Sequence, residues 1–184
     1  MQINQSNLLI DTCCIINFCA SDELLNILQA IPAQTTITQD VKSELDKEEN
    51  IEQMKQVENA IKQGLLLVVD FESDVEANDI LYYAAQNLGE GEASTGAIAI
   101  NRNWTMATDD KKAIRVFSEE SPSLQILSTP DIIKYWSETA NIDPAKLSEV
   151  LKNIRVKARY MPPKNHSLKS WWENLVKITQ SDAQ

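Results

Sequence analysis

Short apolar runs alternate with longer segments of helical period, and this alternation constrains the chain more than any other feature. Residues 7–10, 35–38, 65–69, 104–107 and 124–127 are brief, apolar or β-branched runs bounded by polar residues, as buried strands are. Between them, residues 12–30, 40–46, 51–63, 75–87, 90–101 and 109–119 carry helical spacing. Ile51, Met54, Val57 and Ile61 form one apolar stripe, and Gly64 stands where a left-handed residue would end that helix. Strand and helix in turn predict an α/β chain of three layers, α/β/α, around a central, mostly parallel sheet of about five strands.

After Thr129-Pro130 the pattern is helical only. A short helix is expected over 131–139, and Asp143-Pro144 supplies a cap and a first-turn proline for a helix reaching Tyr160. Met161-Pro162-Pro163 stops that helix, and a last one covers 168–179 with Trp171 and Trp172. The expected division is an α/β domain over 1–130 and a helical C-terminal extension over 131–184 packed on it. Charge divides at nearly the same place. Residues 1–145 hold 9 Lys and Arg against 24 Asp and Glu, whereas residues 146–184 hold 8 against 3. An acidic body with a basic tail suits cation binding in one part and polyanion binding in the other.

The longest apolar runs are too short for a bilayer span, so no membrane association is expected. MQINQSN lacks a basic stretch followed by an apolar core, which predicts no secretory signal and a cytoplasmic protein. Cys13, Cys14 and Cys19 crowd one predicted helix with a single histidine, His166, in the chain. Neither a disulfide framework nor a zinc site is expected from them, and packing is the assigned role.

In an open parallel sheet, ligands gather beyond the carboxyl ends of the strands. Four stretches deliver acids there: Asp11 in LLIDT, Glu44 in VKSEL, Glu92 in LGEGEAS and Asp109 in ATDD. Each alone reads as a helix cap or a first-turn acid. Converging, they would repel one another unless a hard cation such as Mg²⁺ or Mn²⁺ neutralised them.

In order, interval and context these four stretches resemble the PIN-domain ribonucleases, which include toxin subunits of bacterial toxin–antitoxin pairs. The resemblance covers about residues 7–130. It implies a PIN-like fold and metal-dependent hydrolysis of RNA phosphodiesters, leaving a 5′-phosphate and a 3′-hydroxyl. It implies Asp11, Glu44, Glu92 and Asp109 as catalytic residues, with Asp11, Glu92 and Asp109 holding Mg²⁺ or Mn²⁺. Thr108 and Asp110 would support the site, Glu90 is the alternative to Glu92, and Asp110 competes with Asp109. Gly96 departs from the pattern, costing about 1 kcal/mol of helix propensity relative to Ala unless close packing offsets it.

RNA is the expected partner. Lys152, Arg155 and Arg159, at i, i+3 and i+7 of the tail helix, are the candidate phosphate contacts. The same tail could bind an antitoxin protein, and a homodimer is a further candidate assembly. His166 is expected at the surface or on a phosphate rather than as a general base. The competing reading is a catalytically inactive PIN-like module that binds RNA or protein. A phosphotransfer enzyme with Asp11 as nucleophile fits less well, because no phosphate-cradling Gly-rich loop is present.

Overall fold

The computed structural model describes residues 7–47 and 50–181. The N-terminal residues read above for a leader lie mostly outside them. Five parallel strands form the sheet: β1 (Asn7–Ile10), β2 (Gln34–Thr38), β3 (Leu67–Val69), β4 (Thr105–Ala107) and β5 (Ile126–Leu127), in the order β3-β2-β1-β4-β5. The chain thus starts in the centre, winds outward through β2 and β3, then returns to the other side of β1. Neighbouring β1 and β4 mark the point where the winding reverses, and a crevice opens beyond their carboxyl ends.

Helices cover both faces. On one lie α1 (Thr12–Ala20), α2 (Leu24–Ala30), α3 (Gln39–Leu45) and α4 (Ile51–Lys62), joined by α8 (Thr129–Thr139), α9 (Pro144–Lys157) and α10 (Lys169–Ser181). On the other lie α5 (Asp74–Ala85), α6 (Glu90–Asn101) and α7 (Lys111–Glu120). Strand alternation distributes β1 between the layers: Leu8 and Ile10 belong to the first core, Leu9 to the second. All three are fully buried, so β1 is a rigid support for whatever follows it.

Several local expectations meet a physical correction. The segment 12–30 is two helices, not one. Asp22 takes a left-handed φ of 63°, and the Ser21 hydroxyl bonds back to the Phe18 carbonyl while accepting from Glu23 N–H. The helix expected from Asp109 starts at Lys111, because Asp110 is extended and its Oδ1 accepts from the backbone N–H groups of Lys112 and Ala113, both at 2.8 Å. The helix expected to reach Tyr160 ends at Lys157, since Arg159 turns left-handed at φ 54°. Gly64, at φ 72°, ends α4 in the left-handed conformation expected of it. Gly96 is explained by packing: a Cβ there would stand 1.9 Å from the Phe117 ring, so α6 and α7 approach only because the side chain is absent.

The tail shares the first core. Trp172 of α10, Ile154 of α9 and Trp136 of α8 are buried in the same cluster as Leu8 and Ile10. No helix among the described residues is long and apolar enough to cross a membrane.

Candidate active site at the sheet switch point

Asp11 leaves β1 where that strand adjoins β4, its N–H bonded to the Ala107 carbonyl at 2.9 Å. Its side chain is 2% exposed in the context of the buried residue as a whole. Oδ1 accepts from Thr12 N–H at 2.8 Å, so it does cap α1, while Oδ2 accepts from the Thr108 hydroxyl at 2.9 Å and the Cys13 thiol at 3.1 Å. Burial pushes the Asp11 carboxyl up to about 6 against these three donors, and the charge of Glu92 pushes the same way. Capping and a catalytic placement are therefore compatible uses of the two oxygens.

Glu44 projects from α3, one turn after Thr38 caps that helix by accepting from Val41 N–H. It accepts from the Thr12 hydroxyl and from Gly91 N–H, the latter at 3.0 Å. Gly91 lets the carboxylate come this close: a Cβ would lie 2.8 Å from Glu44 Oε2 and would displace the end of that side chain. Glu92 sits in the first turn of α6 and accepts from Gly89 N–H at 3.0 Å. Burial raises its carboxyl above the ordinary range, and the charges of Asp110 and Glu44 add to the rise. Glu90, the alternative, is exposed at the first position of α6.

The neighbours Asp109 and Asp110 diverge. Asp109 Oδ1 accepts from the Tyr160 hydroxyl at 2.7 Å and from Thr129 N–H at 3.1 Å. Its Oδ2 accepts from Asn17 Nδ2 at 3.0 Å, with the Cys14 thiol at 3.6 Å. Both oxygens are thus engaged with α1, α8 and the segment after α9. Asp110, by contrast, spends Oδ1 on capping α7, its Oδ2 accepts no hydrogen bond among the described residues, and its charge bears on Glu92. The mutually coupled acids are Asp11, Glu44, Glu92 and Asp110, with Thr108 between Asp11 and Asp110 N–H.

Among the described residues, none of these five acids forms an ion pair. The donors are carboxylate and hydroxyl oxygens, and burial, with the charge of neighbouring acids, opposes ionisation of Asp11 and Glu92. Such a set fits a hard divalent cation, which would relieve both penalties.

A family model described as DUF3368, PIN domain, matches residues 7–167. The chain belongs to the PIN-domain family. This is the family expected from LLIDT, VKSEL, LGEGEAS and ATDD, and the match runs past residue 130 to include α8 and α9. PIN domains are for the most part nucleases, and divalent metals are general to them. Among solved structures, a complex titled as VapBC2 from Rickettsia felis, bound to a DNA fragment from its promoter, is similar at 18% identity. That alignment has a TM-score of 0.46 and covers 66% of this chain and 98% of the other. No curated protein matches the chain.

The residues expected to contact phosphate are not on one helix. Lys152 is half-buried and Arg155 exposed on α9, whereas Arg159 is exposed beyond its end. None of the three forms an ion pair among the described residues, while Lys157 pairs with Asp22 and Lys169 with Glu173. His166 is half-buried, and both its ring nitrogens are engaged. Its Nδ1 accepts from Leu168 N–H at 3.1 Å and its Nε2 meets the Ser128 hydroxyl at 2.9 Å, tying the α9–α10 connection to the cap of α8.

Asn17 and Tyr160 were missed by sequence reasoning. Asn17, a polar residue amid an apolar helix stretch, carried a readable signal; Tyr160 carried none, because its partner lies 51 positions away.

Proposed function

We propose that this PIN domain is a metal-dependent endoribonuclease of the toxin type, its chemistry centred on Asp11, Glu44, Glu92 and Asp110. The observation that supports this is the gathering of four acids, coupled through Glu92 and without an ion pair among the described residues, at the sheet switch point. A module that only bound RNA or protein would gain nothing from that mutual repulsion. Asp11 and Glu92 would hold Mg²⁺ or Mn²⁺ with Asp110 as third ligand, Asp109 instead fixing the β4–α7 turn from behind. A divalent cation there would supply the charge that polarises a phosphoryl oxygen and activates water.

The chain's own groups supply placement. Buried β1 and the Thr108 hydroxyl hold Asp11 in one rotamer, and Glu44 ties Thr12 to Gly91 so that α1 and α6 keep a constant separation. Lys152, Arg155 and Arg159 would contact RNA phosphates, and binding would then weaken steeply with salt. An antitoxin protein is the further partner this reading implies, and a dimer of the chain is compatible with it.

Labelled RNA incubated with Mn²⁺ or Mg²⁺ tests the proposal. Asp11→Asn, Glu92→Gln and Asp110→Asn should each lose about a hundredfold or more of the cleavage rate. Cleavage by the variants equal to wild type, or none by any protein across varied RNAs, would refute it; RNA binding without cleavage would indicate the inactive module instead. Growth arrest on expression, relieved by Asp11→Asn, would support the toxin assignment.

A further inference from the structure

Asp109, Cys13 and Cys14 form a group beside the acidic site, linked to it by the Cys13 thiol on Asp11 Oδ2. Their ligand atoms all lie within 4.8 Å of one another, in the first turn of α1 and the turn after β4. We propose that Cys13 Sγ, Cys14 Sγ and Asp109 Oδ2 are a binding site for a thiophilic divalent cation, Zn²⁺ being the expected one, adjacent to the all-oxygen site.

Three observations carry this. First, the spacing is nearly that of a tetrahedral site. With Zn–S of about 2.3 Å and Zn–O of about 2.0–2.2 Å, sulfur and oxygen ligands stand about 3.5 Å apart. Cys14 Sγ already lies 3.6 Å from Asp109 Oδ2, close to that separation. Second, the carboxylate is pre-oriented. Asn17, Thr129 N–H and Tyr160 hold Asp109 through strong donors, and the remaining position on Oδ2 is filled by a thiol, the weakest donor present. A cation would replace that thiol proton and keep the other three bonds as its outer support. Third, the donor chemistry separates two cations. Thiolates select Zn²⁺ over Mg²⁺ and Mn²⁺, whereas Asp11, Glu44, Glu92 and Asp110 offer only oxygen.

Binding balances simply: one dication enters and two thiol protons leave to solvent. Cys13 then gives up its 3.1 Å hydrogen bond to Asp11 Oδ2, while the net charge of the sulfur site is unchanged.

Optical titration of the full-length, reduced, metal-free chain with Co²⁺ tests this independently of any RNA cleavage. The expected result is a saturable one-equivalent near-ultraviolet thiolate-to-cobalt band with intense visible bands, displaced by Zn²⁺ and not by excess Mg²⁺. Cys13→Ser should abolish the band, Asp109→Asn should weaken binding by about tenfold or more, and Cys19→Ser and Glu92→Gln should retain it. Because Cys14 is buried, Cys13→Ser, at a half-exposed position, is the decisive variant, with its fold checked by near-ultraviolet circular dichroism. A wild-type chain giving only the weak bands of octahedral Co²⁺, or a thiolate band unchanged in Cys13→Ser, would overturn the proposal.

Discussion

Asp11 is placed where ionisation is costly, and that cost has a sign. Its carboxyl is raised to about 6 by burial, so between pH 4 and 6 the folded protein retains a proton that the unfolded chain has lost. Stability of the metal-free protein therefore falls as pH rises through that window, and the whole penalty, about 3 kcal/mol, is present at pH 7. Asp11→Asn removes it. Denaturant melts of the metal-free chain should show this variant about 1–3 kcal/mol more stable than wild type at pH 7, with the gain vanishing near pH 4. Added Mn²⁺ should stabilise wild type and not the variant. Gly96 makes a prediction of the opposite kind. Alanine there improves helix propensity yet drives a methyl into the Phe117 ring, so Gly96→Ala should lose about 1–3 kcal/mol in thermal melts, with partial recovery by Phe117→Leu.

Between elements, the strongest polar tie outside the site joins α5 to α6. Arg102 at the end of α6 donates from Nε to Glu76 Oε1 at 2.7 Å and from Nη2 to Glu76 Oε2 at 3.0 Å, and reaches the Asp70 carbonyl ahead of α5. Glu76 is buried, and the guanidinium holds its carboxyl below the usual range. A carboxyl with a lowered folded pKa stabilises above its unfolded pKa, and that contribution is lost as pH falls through the folded one. Arg102→Ala would leave Glu76 buried and unpaired, a loss of about 3–5 kcal/mol at pH 7 that shrinks in acid as Glu76 protonates. Chemical denaturation at pH 7 and pH 4 would read both. Since α6 carries Glu92, the same variant should also slow the proposed RNA cleavage.

For the molecule as a whole, the tail is part of the body that holds the site. Trp172 is fully buried beneath Tyr160, their rings edge to face at 5.9 Å, and Tyr160 in turn bonds Asp109. Trp172→Ala should cost about 3–5 kcal/mol, measured by denaturant unfolding. It should also loosen the β4–α7 turn, visible as faster amide exchange at Asp110 than in Tyr160→Phe, where the ring packing remains.

What could be read from the chain followed from local rules. Period-2 and period-3.6 patterns marked the strands and most helices, and the acids at strand ends marked a candidate site, because open parallel sheets bind ligands beyond the strand ends at a switch point. The break at Asp22 had a signal that was passed over, the polar run Ser21-Asp22-Glu23 between two apolar stretches; the left-handed backbone at Asp22 is what turns the chain there. The roles of Asp109 and Asp110 were not legible. Two adjacent carboxylates have the same chemistry in sequence; they differ because Asn17, Thr129 and Tyr160, brought from three distant segments, claim one, while α7 and Glu92 face the other. The sequence by itself determined which residue types would meet at the sheet edge. Which way each side chain turns was decided only by tertiary structure, because hydrogen-bond partners are chosen by proximity in space.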